Sequence, residues 1–144
     1  MLWLDAETVR RCGDFRRLVP AIQEMNKLGT DEVDRMLLSQ QVKGGGRNDW
    51  LMLPAWQFDR CFGIKIANVF PGNAARNLAS VQGAYLLFDG ETGETLCGMD
   101  GAMLTLRKTA ANSAAAADWL ARTDAETLCM VGAGALAPHL IEAH

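Results

Sequence analysis

The chain has no excess of positive charge and no long apolar run. Its 14 lysines and arginines are outnumbered by 17 acids, for a net charge of -3. That leaves nothing to neutralise a phosphate backbone, and nucleic acid is excluded as the expected partner. No stretch approaches the roughly 20 consecutive apolar residues that span a bilayer, so no membrane is expected. The opening MLWLDAETVRRC lacks a basic segment followed by an apolar one, which removes a secretory signal and sets the expectation of a cytoplasmic protein. There is no Cys-x-x-Cys pair: Cys12, Cys61, Cys97 and Cys129 lie tens of residues apart, with only His139 and His144 to assist them. Zinc sites usually gather ligands in local pairs, so no metal is expected and the thiols read as reduced structural residues. There is no internal repeat and no charged tail.

What is present is an ordinary globular composition, 144 residues with 49% hydrophobic and 22% charged, enough for one core. The first 30 residues read as helical. Asp5 is placed to cap a short helix, and Phe15, Leu18, Ile22 and Met25 follow a helical period that Gly29 ends. Pro20 interrupts that pattern, either starting a fresh helix or kinking one. GGGRND at 44–49 reads as a loop. Trp50–Leu53 and Gly63–Phe70 then read as strands stopped by Pro54 and Pro71. AYLLFD-GETG-ETLCGM is the clearest hairpin signal, its turn supplied by glycine and acidic residues. After Asp100-Gly101, the alanine-rich stretch Met103–Ala121 reads as a long helix able to approach its neighbours closely. The order is helix, strands, long helix, strand and glycine turn, an α/β or α+β arrangement.

The run TLCMVGAGALAPHL places Gly132-Ala133-Gly134-Ala135-Leu136-Ala137 after an expected strand and at the opening of an expected helix. This is G-x-G-x-x-A, the dinucleotide fingerprint. Gly132 permits a tight turn, Gly134 removes a side chain where a pyrophosphate approaches, and Ala137 lets helix and strand pack closely. A βαβ unit takes about 30 residues and its ribose-reading acid sits about 20 beyond the glycines. Only residues 133–144 follow Gly132, so the unit is expected to be cut short.

Three successive blocks, GIKIANVFPGNAARNLASVQGAYLLFDGETGE, DGAMLTLRKTAANSAAAADWLA and MVGAGALA, resemble the ornithine cyclodeaminase and μ-crystallin family. The resemblance implies an α/β protein. An N-terminal α+β substrate and dimerisation domain, residues 1–124, is followed by the first strand and helix start of a Rossmann domain, residues 125–144. It implies a homodimer that uses NAD or NADP to exchange hydride at the α-carbon of a small amino acid or cyclic imino acid, as in pyrroline-2-carboxylate and ketimine reductases. Ornithine cyclodeamination with ammonia release and non-catalytic ligand binding are the alternatives within the family. Carried over by motif, the family's lysine falls on Lys65, beside the substrate carboxylate and reacting nitrogen, where a partly desolvated ammonium exchanges a proton. The substrate arginine falls on Arg35, with Arg47 second. Ser80 takes the hydroxyl position that contacts the nicotinamide nucleotide, and Gly132, Gly134, Ala135 and Leu136 the pyrophosphate turn. Two residues depart from the family pattern. Leu136 replaces a common glutamine. LTLRKTAA puts Lys108, toward substrate and cofactor, where L-T-x-x-R-T carries arginine, with Arg107 one place earlier as the alternative; lysine keeps the charge but loses the two-point contact.

Overall fold

The computed structural model describes residues 1–29 and 33–144. The chain divides into two compact units, one built on a sheet (Met1–Ala6 with Thr30–Ala102) and one helical (Glu7–Gly29 with Met103–His144).

The sheet has six strands: β1 (Leu2–Leu4), β2 (Met36–Gln41), β3 (Arg47–Gln57), β4 (Cys61–Val69), β5 (Val81–Asp89) and β6 (Thr95–Asp100), in the order β1-β6-β5-β4-β3-β2. Every pair is antiparallel except β1 with β6. The β5–β6 hairpin stands where the sequence predicts it. Its turn is organised by Asp89, whose Oδ1 accepts from the Glu91 and Thr92 amides at 3.1 and 2.8 Å and from the Thr92 hydroxyl at 2.8 Å. Those donors, Thr92 first, hold the Asp89 carboxyl below its ordinary pKa.

Four expectations are corrected. The first residues are not helical: Leu2-Trp3-Leu4 forms an edge strand against Cys97, Gly98 and Met99, where a short apolar triplet gains ladder bonds. The segment 44–49 is a loop only in part. The turn is Val42–Gly46, with three glycines at φ between 96° and 100°, while Arg47–Asp49 already pair with β2 as the start of β3. Pro54 does not end its strand. The β2 ladder stops at Met52, so one side of β3 is an edge from Leu53 onward, where a missing N–H is tolerated. Finally, Thr127–Val131 is no strand. A strand exists by its ladder, and no described strand lies beside this run.

The helical unit contains most of α1 (Ala6–Cys12), α2 (Phe15–Leu28), most of α3 (Gly101–Leu120) and α4 (Ala137–Ala143). Asp14 caps α2 by accepting from the Arg16 amide at 3.0 Å, and Gly29 closes it at φ 76°. Of the two readings of Pro20, no fresh helix starts there: α2 runs through it. The alanines of α3 do what their size allows. Ala110 and Ala111 are fully buried beside Phe15, with Leu18, Val19 and Ile22 of α2 and Leu136, Leu140 and Ala143 at α4 packed around them.

Candidate functional site

Lys65 is the only charged residue of β4 and stands at its middle. Register places it between Leu53 of β3 and Tyr85 of β5, and the row continues to Met99 of β6. Directly opposed residues share a face and put their Cβ atoms about 5 Å apart. Lys65 and Tyr85 are therefore neighbours on one face, which also carries the small residues Gly63, Ala67 and Gly83 and the apolar Leu53 and Leu87. The Tyr85 ring leans toward Gly63: a methyl group there would fall on the phenol hydroxyl. Burial, then the Cys61 and Cys97 thiols, push the phenol above its ordinary pKa, so it stays a protonated donor at neutral pH. Sequence reasoning missed Tyr85, and only the strand register could have found it.

Arg35 directly precedes β2. Continuing the β2–β3 register sets its backbone opposite Leu53, the residue that faces Lys65, about 10 Å away across one intervening strand. It also borders an open depression of about 720 Å³ with Val33, Asp34, Pro54 and Trp56. The Trp56 indole N–H in that wall is buried and unpartnered. Arg47 is elsewhere, at the far end of the β2–β3 hairpin, with its Nε 2.9 Å from Asp49, which also accepts from Ser39 at 2.6 Å. Of the two arginines, the register puts only Arg35 near Lys65.

Ser80 is not brought to Lys65. It sits just before β5, its carbonyl accepting from the Phe70 amide at 2.7 Å, and borders a depression of about 280 Å³ with Asn68, Asn73, Arg76 and Gln82. Val81 pairs with Val69 on the Lys65 face, so Ser80 continues the opposite face.

In the helical unit, Lys108 is exposed on α3, and Arg107, about 100° around the helix, is 2% exposed. The Arg107 guanidinium is fully engaged. Its Nε donates to the Gly13 carbonyl at 2.9 Å, and Nη1 and Nη2 fork onto the Glu142 carboxylate at 2.7 and 3.1 Å. Nη1 also stands 3.4 Å from His139 Nδ1, and the guanidinium carbon lies 3.6 Å from the centre of the Phe15 ring. The hydrogen bonds from Arg107 hold the Glu142 carboxyl below its ordinary pKa. Arg107 is thus committed inside the unit, and Lys108 alone of the two presents its charge outward. Glu142 and His139, three residues apart on one helix face, were the sequence signal for this cluster and went unread.

Gly132 adopts φ 104°, which favours glycine, and at both Gly132 and Gly134 a Cβ would meet open space. The turn therefore leaves its backbone open to close approach by a phosphate, and the residues present fit a dinucleotide. The Gly134 carbonyl accepts from the Ala137 amide at 3.0 Å, tying the turn to α4. Leu136 packs its side chain on the core, and Ala135 is exposed. Among the described residues no cluster of His, Cys, Asp or Glu could hold a metal ion, and no helix is long and apolar enough to cross a membrane.

Residues 18–144 match the model of the Ornithine cyclodeaminase/mu-crystallin family. Protein SAR DEFICIENT 4 of Arabidopsis thaliana is 44% identical over 97 residues, 65% of this chain and 30% of the relative. A Delta(1)-pyrroline-2-carboxylate reductase of Colwellia psychrerythraea is 31% identical over 143 residues, 98% of this chain and 45% of its own length. An archaeal alanine dehydrogenase dimer with bound NAD has a similar structure, with a TM-score of 0.83 at 27% identity, covering 99% of this chain and 44% of that one. The chain spans less than half the length of these relatives. Motif order, fold and family match agree, and the chain belongs to the ornithine cyclodeaminase/mu-crystallin family.

Proposed function

We propose that this chain carries the substrate-binding part and the opening nucleotide turn of an NAD(P)-dependent reductase acting on the cyclic imine of a small α-amino acid. The observation that carries the reading is the place of Lys65: the one charged residue of β4, at its centre, flanked across the sheet by Leu53 and by the phenol donor Tyr85 and along its own strand by the small residues Gly63 and Ala67. A carboxylate and an imine nitrogen are the groups such a face receives, because an ammonium both pairs with an anion and passes a proton to nitrogen. The bound nicotinamide supplies hydride. Arg35 adds a two-point contact to the carboxylate, Lys108 a further positive charge, and Gly132, Gly134, Ala135 and Leu136 the backbone against the pyrophosphate. Ser80, which continues the opposite face, takes no part in this reading. Residues 1–124 act as the substrate and dimerisation domain and 125–144 as the start of the nucleotide domain.

A homodimer is part of the proposal. The opposite sheet face carries Trp50, Met52, Phe62, Ile64, Leu86 and Phe88, all only partly buried in the single chain. A second copy covers such a face by two-fold pairing and keeps it from water. A cytoplasmic location is part of the same proposal, and there the four free cysteines stay reduced.

The test is oxidation of NADH or NADPH by the full-length protein that contains these residues and a complete nucleotide domain, with pyrroline-2-carboxylate. Lys65→Met is expected to lower kcat and kcat/KM together by about 10²-fold or more, the contribution of a lost acid–base group. Normal turnover by that variant would overturn the site. Release of ammonia from ornithine with no net change of cofactor would replace reduction by cyclodeamination, and ligand binding without turnover of any imino acid would make the chain a binding protein.

A further inference from the structure

Arg107 poses a physical question. An ion taken out of water costs several kcal/mol unless its bonds are remade, and the same face of α3 already packs through Ala110 and Ala111. The buried guanidinium does not serve Lys108's outward role. What it does is tie α3 to the α1–α2 junction, through the Gly13 carbonyl and the Phe15 ring, and to α4, through Glu142 and His139.

The element with most to gain is α4. It has seven residues, no side-chain cap at its start and no fully buried residue. A helix that short has little stability of its own. Leu140 and Ala143 rest on the core formed by Phe15, Ala110 and Ala111, but apolar contact is non-directional and allows a helix to slide or roll. A planar fork on a carboxylate fixes both rotation and distance. Glu142 reaches the fork while 54% of its side chain stays exposed, so the carboxylate is held at the rim and the guanidinium beneath it. The glycine turn is the segment immediately before α4, bonded to it through Gly134 and Ala137.

We infer that Arg107 is a positioning residue for the nucleotide turn: by clamping Glu142 and His139 it fixes α4, and through α4 the backbone of Gly132–Gly134. The inference rests on the reading of that turn as the NAD(P) site. It assigns Arg107 a role distinct from the substrate contact that its neighbourhood to Lys108 suggested, and it makes nucleotide affinity the quantity that depends on the clamp.

The experiment measures NADH dissociation constants by fluorescence titration of the full-length protein, alongside melting temperature and steady-state kinetics with pyrroline-2-carboxylate at saturating NADH. Glu142→Gln keeps the shape and removes the charge from a half-exposed position. Arg107→Lys keeps the charge and removes the fork. Each is expected to weaken NADH binding about threefold to tenfold, the factor that one net hydrogen bond carries, with kcat at saturating NADH and KM for the imino acid within about twofold of wild type. Should both variants lose melting temperature yet bind NADH within twofold of wild type, Arg107 is a structural tie alone and the inference fails. A parallel fall in kcat at saturating NADH also overturns it, since the effect then reaches beyond the turn. Gly134→Val tests the underlying reading separately: if NADH affinity survives a side chain at that position, the nucleotide site is misplaced, whatever the clamp variants do.

Discussion

Gly63→Ala adds one methyl group to the centre of the Lys65 face, and the structure says what it meets. The added carbon would fall on the Tyr85 hydroxyl, with Cζ at 2.5 Å and Cε1 at 3.0 Å, distances no packed methyl tolerates. The backbone is no obstacle, since Gly63 is not among the glycines of positive φ. The ring must therefore swing away. A fully buried aromatic covers about 150–250 Å², so half-buried Tyr85 gives up about 100 Å², or about 2.5 kcal/mol at 25 cal/mol per Å². Replacing glycine within a strand recovers about 0.5–1 kcal/mol of chain entropy. The net expectation is a loss of about 1.5–2 kcal/mol, measured by urea or thermal unfolding. Tyr85→Val removes the obstacle, so in that background Gly63→Ala should be neutral or stabilising, and a double-mutant cycle should return a coupling of about 2 kcal/mol. Should Gly63→Ala cost the same with and without the phenol, within about 0.5 kcal/mol, the Tyr85 contact is not what requires glycine and the reasoning is refuted.

The neighbours Arg107 and Lys108 are expected to fail in different ways. Arg107→Met should destabilise the fold by about 2–4 kcal/mol, the sum of lost charge-assisted bonds and the Phe15 contact against recovered desolvation, with Glu142 free to rehydrate; a melting curve within 2 °C of wild type would contradict this. Lys108→Met should leave the melting curve in place and raise substrate KM roughly tenfold to a hundredfold, whereas Lys108→Arg keeps the charge, adds a fork and should retain activity. The clamp also sets a pH dependence. The Glu142 carboxyl is held below its ordinary value of 4.5, so its contribution is complete above that pH and is lost as the pH falls through the lower folded value. The stability gap between wild type and Glu142→Gln should accordingly close in acid; a gap that widens there would contradict the assignment.

Local signals carried much of the fold. The β5–β6 hairpin was legible because its turn chemistry is contained within a few residues, and α3 because thirteen of its 20 positions are alanine, leucine or other strong helix formers, with no proline among them. Three features depend on partners distant in sequence and were not legible. Leu2-Trp3-Leu4 is a strand only because β6 offers an edge nearly a hundred residues away. Pro54 sits inside β3 because β2 ends early, a fact that no residue near Pro54 encodes. Thr127–Val131 has strand composition and no ladder.

The candidate site divides along the same line. Lys65 and the glycine turn came from motifs, since their chemistry requires fixed residue types at fixed spacing. Tyr85 and the Arg107 clamp came from register and packing, which motif spacing does not record. That division has a consequence for Lys108. Helix geometry alone sends adjacent residues about 100° apart, so two cations in sequence cannot share one task. Once Arg107 is committed to Gly13, Glu142 and His139, the outward position falls to Lys108, and the departure from the family arginine becomes a matter of contact geometry and not of lost charge. Restoring the fork with Lys108→Arg is then the decisive substitution. It should lower substrate KM if a two-point contact is what the lysine lacks, and leave KM unchanged if charge alone is used at that position.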